Sequence, residues 1–173
     1  MKFSVKKITL LGRLTACSLI MFVIEAQFPV APIGGIKLGL ANVVTLITML
    51  FVGRIESGFV LLMRIILATA FYGTFVSFVF SVTGGILAWL AMCFFVYKLD
   101  KNQIWVVSVF GGVFHNLGQL TAAVFITGTS YVFSIFPYLI ISGILTGFFT
   151  GIVAQKIWFS PLQKYNINKN TKE

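Results

Sequence analysis

The chain has 173 residues, of which 58% are hydrophobic and only 10% are charged, and its formal net charge is +9. Soluble domains have about 25% charged residues, so this composition excludes an ordinary soluble protein and indicates an integral membrane protein. The basic residues are scattered between apolar blocks, which is typical of membrane topology signals and argues against nucleic-acid binding.

Six apolar segments with short connections fit this length, and they predict an all-α integral membrane protein made of one helical bundle. The predicted helices cover residues 8–27, 38–52, 55–72, 73–97, 104–127 and 131–159. Residues 1–159 are therefore predicted to form a single membrane domain. Residues 160–173 are predicted to form a polar, basic cytoplasmic tail.

The start of the chain has some features of a cleaved leader. Lysines precede an apolar run, and residues 14–17 resemble a lipobox. Arg13 interrupts the run, however, and hydrophobicity continues beyond Cys17. An uncleaved first helix is therefore predicted.

Residues 28–37 contain two prolines and two glycines, which forbid a regular helix. Non-helical backbone at membrane depth is tolerated only where it is buried in protein or lines a cavity. Glu25 precedes this segment, and Lys37 and Asn42 follow its glycines. We expect either a structured loop beside a binding site or a plain extracellular connection with a solvated Lys37.

The predicted fifth helix carries three strongly hydrogen-bonding side chains, His115, Asn116 and Gln119, in the middle of an apolar run. Their spacing places all three on one side of a helix. Exposing that side to lipid is unfavourable, so it should face other helices or a cavity. The group is predicted to be a ligand or ion site, the alternative being a polar contact between helices.

Arg64 lies near the middle of the predicted third helix. Its guanidinium stays charged, so it must find an anion, water or carbonyl groups within the membrane. A structural ion pair with Glu25 or Glu56 is the alternative to a role in ligand binding.

Glycines recur every four residues in the predicted sixth helix, at Gly143, Gly147 and Gly151. Small residues at this spacing let helix backbones approach closely in a membrane, so a packing surface is predicted. In the alternative interpretation, the hydroxyl groups of the neighbouring Ser142, Thr146 and Thr150 face a ligand. Gly84 and Gly85 interrupt the predicted fourth helix, where we expect a bend or a close helix contact.

The distribution of Lys and Arg predicts the topology of the bundle. If the N-terminus lies inside, the connections on the cytoplasmic side carry nearly all the Lys and Arg residues, as membrane proteins require. Both termini are therefore predicted to be cytoplasmic. The residues placed inside are Lys2, Lys6, Lys7, Arg13, Arg54, Lys98, Lys101, Lys156, Lys164, Lys169 and Lys172. Lys37 alone lies outside.

The sequence offers little for catalysis. Its four acidic residues form no paired-carboxylate or Asp-rich motif, the glycine-rich nucleotide loop is missing, and a single histidine cannot form a zinc-protease motif. Cys17 and Cys93 have no metal-ligand spacing. We therefore predict a binding or transport protein that is not an enzyme and uses no cofactor or metal. Its mildly cationic polar residues favour an anionic or amphiphilic small molecule.

Several of these motifs together resemble one family. Residues 32–42, Arg64, residues 115–120, the pair at residues 138–139 and the glycines of residues 143–151 are similar to the bacterial Gx transporter family. Its members are often described as heptaprenyl diphosphate synthase component I. That family is in turn similar to the substrate-binding S components of energy-coupling factor (ECF) transporters.

The resemblance implies a six-helix membrane protein in the bacterial cytoplasmic membrane that captures a vitamin- or cofactor-like molecule outside. It would dock on an ECF-type transmembrane coupling subunit driven by two ATPase subunits. Docking would use Gly12 and Ala16, although Ile20 breaks the usual Ala-x-x-x-Ala series. The implied pocket residues are Lys37, Asn42, Arg64, His115, Asn116 and Gln119.

The synthase description fits the chain poorly, because the acid-rich motif needed for prenyl transfer is missing. The alternative function is a non-catalytic accessory membrane subunit. It would serve isoprenoid or quinone metabolism, or flavin- and quinone-based extracellular electron transfer, to which related genes are linked.

Overall fold

A computed structural model describes residues 5–27, 41–72 and 74–160, and these ranges contain helices and no strand. The six helices are α1 Val5–Ala26, α2 Asn42–Phe51, α3 Arg54–Tyr72, α4 Phe75–Phe95, α5 Ile104–Thr127 and α6 Phe136–Trp158. Short 3-10 helices at Lys101–Gln103 and Ser130–Ile135 precede α5 and α6. The predicted six-helix, all-α fold is confirmed.

Four stretches are long and apolar enough to cross a membrane, namely Val5–Glu25, Phe75–Phe95, Lys101–Thr127 and Tyr131–Trp158. They correspond to α1, α4, α5 and α6. The shorter α2 is apolar over 10 residues, about 15 Å of helix. The predicted start of α2 at residues 38–40 lies outside the described residues.

The sixth helix differs from its prediction. The sequence predicts one helix over residues 131–159, whereas α6 begins at Phe136 after the separate 3-10 helix. Pro137 explains the boundary, because a proline without an N–H fits the first turn of an α-helix and disrupts its interior. The helix α5 ends at Gly128, whose φ of +65° is the left-handed conformation that glycine adopts without strain.

The helix α5 packs between α4 and α6, and glycines bring the backbones together on both sides. A methyl group added to Gly118 would lie 2.6 Å from the carbonyl oxygen of Thr83 on α4. One added to Gly147 would lie 2.6 Å from Cα of Val109 on α5. The helix α4 is continuous at Gly84 and Gly85, so these residues form close contacts without interrupting it.

The helices α1, α2 and α3 pack together without a glycine contact between them among the described residues. Phe22 of α1 forms a small core cluster with Ala41 and with Ala68 of α3. A second cluster joins this half of the bundle to the rest through Leu46 and Met49 of α2. Its other buried members are Ala88, Met92, Ile104, Val107 and Ala154.

One end of the bundle collects basic and aromatic side chains, and we call it the basic end. Lys7 of α1 forms an ion pair with Glu56 of α3, and the Arg54 guanidinium lies 3.1 Å from the centre of the Tyr97 ring. Lys101 lies over the ring of Trp158. These contacts join the start of α1 to the start of α3, the start of α3 to the end of α4, and the 3-10 helix before α5 to the end of α6. The cytoplasmic location of this end stays a prediction.

Candidate functional site

Arg64 is buried in α3, with only 5% of its surface exposed, and its neighbours Leu61 and Ile65 are also buried. The carboxylate of Glu25, on α1 and likewise buried, interacts electrostatically with this guanidinium. Glu56, the other acid considered for Arg64, pairs with Lys7. Arg64 Nε has no hydrogen-bond partner among the described residues. The charge is therefore balanced by one carboxylate while one donor stays available.

His115 and Gln119 lie on the face of α5 that contacts α4. A methyl group added to Gly84 would lie 3.0 Å from both His115 Cε1 and Gln119 Cγ. Both side chains are buried, and Gln119 is only 1% exposed. Gln119 Oε1 has no hydrogen-bond partner within the described part of the chain. Because a buried amide oxygen normally finds a donor, this acceptor is a feature that needs an explanation.

Arg64 of α3 lies at the same depth in the bundle as His115 and Gln119 of α5. Gly84 contacts His115 and Gln119, and the next residue, Gly85, contacts Leu61 and Ile65 on either side of Arg64 in sequence. A single turn of α4 thus separates α3 from α5 at this level. We call Glu25, Arg64, His115 and Gln119 the polar layer.

Thr45 of α2 is a further buried polar residue that the sequence did not place in the site. Its hydroxyl has no hydrogen-bond partner among the described residues. A helical threonine usually donates to the carbonyl one turn earlier, as Thr48 does to Val44 at 2.7 Å. For Thr45 that carbonyl belongs to Ala41, which instead accepts from Ser18 of α1 at 3.4 Å.

Asn116, which was predicted to share one side of the helix with His115 and Gln119, has a hydrogen-bond partner on α6. Its Nδ2 donates to the carbonyl oxygen of Leu139 on α6, at 2.7 Å. The amide nitrogen is thereby used at the α5–α6 interface, which is the contact between helices that the sequence left as an alternative.

The other predicted pocket residues lie elsewhere. Asn42 is the first residue of α2 and is half-buried, and Lys37 lies outside the described residues. The whole Pro/Gly segment at residues 28–37 also lies outside the described residues.

The predicted docking residues Gly12 and Ala16 are both exposed on α1. A methyl group added to Gly12 would meet no heavy atom within 4 Å. Gly143, Gly147 and Gly151 are buried and contact the α5 backbone, and Ser108 also forms a 2.9 Å hydrogen bond with Thr150 there. This side of α6 is therefore closed by packing.

The polar layer combines one fixed positive charge, one carboxylate, one imidazole and one amide in an apolar bundle. Within the described ranges, no three His, Cys, Asp or Glu side chains are grouped as metal ligands. The arrangement can donate to and accept from a small polar group, and the cationic donor of Arg64 suits an anion.

The sequence model of one family, described as heptaprenyl diphosphate synthase component I, matches residues 14–157 of the chain. This match agrees with the motifs from which the family resemblance was predicted. No curated protein and no solved structure matched significantly. The similarity to ECF S components stays a prediction.

Proposed function

Because the chain belongs to the heptaprenyl diphosphate synthase component I family and is a membrane protein, we propose that it is a membrane-embedded substrate-binding subunit. It would act like the S component of an ECF-type importer, in the bacterial cytoplasmic membrane. Its substrate would be a small vitamin- or cofactor-like molecule that is anionic or amphiphilic. The chain would not itself be an enzyme.

The observation that carries this proposal is the pair of unused hydrogen-bonding atoms in the polar layer. Arg64 Nε and Gln119 Oε1 are buried, and neither has a hydrogen-bond partner among the described residues. Leaving a buried donor or acceptor unpaired costs about 1–3 kcal/mol, and more when the group is charged. A bound group that accepts a hydrogen bond from Arg64, or one that donates to Gln119, would remove part of this penalty.

The family description supports a complex. "Component I" implies a partner component. We propose that the partners are a transmembrane coupling subunit and two ATPase subunits, and that the exposed face of α1 at Gly12 and Ala16 docks on the coupling subunit. That face is exposed along α1, and Ile20 on the same helix is 58% exposed.

Mass spectrometry of small molecules released from the purified protein tests the binding role. We expect the native protein to release one compound in near-stoichiometric amount, and the Arg64→Gln and Gln119→Met variants to release less than about a tenth of it. Thr121→Val is the matched control, because Thr121 is exposed on the same helix and bonds only its own backbone, at Leu117. Equal retention in all four proteins would contradict the site.

The family description also favours a second function, a non-catalytic accessory subunit for isoprenoid metabolism. We extend this alternative to quinone metabolism and to flavin- and quinone-based electron transfer, as the resemblance implies. Affinity purification from native membranes separates the two. Recovery of an ATPase pair supports the importer subunit. Recovery of a prenyl-processing or redox enzyme without ATPases supports the accessory subunit.

A further inference from the structure

A second surface, far from the polar layer, has the composition of a ligand site. A groove of about 360 Å³ lies between α1, α2 and α6 at the basic end. Leu10 and Leu14 of α1, Ile47 and Phe51 of α2, and Ile157 of α6 line it. Its volume falls within the roughly 300–1,000 Å³ typical of small-molecule sites, and its lining is almost wholly apolar.

A basic cleft adjoins this groove on α1. Lys6, Thr9 and Arg13 line the cleft, and Leu10 is shared between the two surfaces. Lys6 and Arg13 are seven residues apart, so they lie on the same side of the helix, and both are exposed. No acidic side chain is among the described residues that line either surface. The pair therefore presents two uncompensated positive charges beside an apolar groove.

We propose that the groove and the cleft together bind one anionic phospholipid. An acyl chain lies in the apolar groove, and the phosphate of the headgroup binds between Lys6 and Arg13. The charge complementarity is direct, since the head is negative and the cleft carries only positive charge. The basic end is also where anionic lipids concentrate if it faces the cytoplasm. The long side chain of Arg13 reaches from within the helix toward the headgroup level.

This proposal is independent of the substrate-binding role. Leu10 and Glu25 are separated by about 22 Å along α1, so the lipid site and the polar layer are at opposite ends of that helix. A failure of one proposal leaves the other intact.

Native mass spectrometry of the full chain in detergent, titrated with phosphatidylglycerol, tests the site. We expect the Lys6→Gln/Arg13→Gln variant to bind phosphatidylglycerol about thirtyfold more weakly than the native protein. Lys98→Gln is the control, because it removes a positive charge from the basic end at a side chain that contacts Phe94 and lines neither surface, and it should change affinity less than twofold. Leu14→Trp, which fills the groove and keeps both charges, should weaken binding at least tenfold. Size-exclusion profiles and thermal melting establish that each variant is folded.

Three further probes decide the identity of the occupant. Phosphatidylcholine with the same acyl chains should bind at least tenfold more weakly than phosphatidylglycerol, and inorganic phosphate should not compete. Farnesyl diphosphate binding in preference to phosphatidylglycerol would overturn the assignment to a phospholipid and point to isoprenoid diphosphates. Equal weakening in the control variant, or no weakening in Lys6→Gln/Arg13→Gln, would overturn the site itself.

Discussion

The two halves of the bundle are built on different chemistry. The helices α4, α5 and α6 approach one another at glycines, and hydrogen bonds such as Asn116 to Leu139 fasten their interfaces. The described parts of α1, α2 and α3 have no glycine contact with one another, and these helices carry the buried charges Glu25 and Arg64. In a bilayer, close backbone packing supplies stability where the hydrophobic effect cannot.

The largest expected effect comes from the charged half. Arg64→Met should lower the free energy of unfolding by about 3–5 kcal/mol, because it leaves the buried carboxylate of Glu25 without its cation. Adding Glu25→Gln to this variant should recover most of the loss. Unfolding titrations of the single and double variants in mixed micelles measure both values. If Arg64→Met were as stable as the native protein, the buried charges of α1 and α3 would not stabilise that half of the bundle.

The glycine-packed half should respond next most strongly. Gly118→Val should cost about 1–3 kcal/mol or more, because a side chain there meets Thr83 and Gly84 of α4 at less than 3 Å. Gly12→Val is the control, since Gly12 has open space around it. The same unfolding titration applies. A similar loss at both glycines would mean that helix propensity, and not packing against α4, determines the outcome.

A smaller effect is expected from the α5–α6 hydrogen bond. Asn116→Leu should lower stability by about 0.6–1.7 kcal/mol, the range measured for hydrogen bonds between membrane helices. It should leave the retention of the released small molecule unchanged, unlike Gln119→Met. If the Asn116→Leu variant lost that molecule, Asn116 would belong to the binding site, as the sequence predicted.

The smallest effect belongs to the ion pair between Lys7 and Glu56. Its side chains are 32% and 12% exposed, so Lys7→Met should cost less than about 1 kcal/mol. The difference between this variant and the native protein should shrink as salt is raised from low concentration to about 1 M. A loss that is insensitive to salt would show that Lys7 stabilises the bundle through packing.

The helices and the glycine contacts could be predicted from the sequence, because hydropathy and four-residue spacing are read from neighbouring residues. The partner of Asn116 could not be predicted, since it is a backbone carbonyl of α6 that no pattern in the sequence marks. Thr45 was missed because a threonine in an apolar helix normally satisfies its own hydroxyl. The start of α6 was missed because the apolar run continues through the 3-10 helix, and only Pro137 indicates the true boundary.

All three tryptophans of the chain lie toward the basic end. Trp89 donates to the Arg54 carbonyl at 3.2 Å, Trp105 is the second residue of α5, and Trp158 ends α6. Intrinsic fluorescence of this protein therefore originates mainly from one leaflet. Acyl chains brominated near the carbonyl group should quench this emission more than chains brominated at their methyl ends. The difference in quenching measures how deeply the bundle lies in the bilayer.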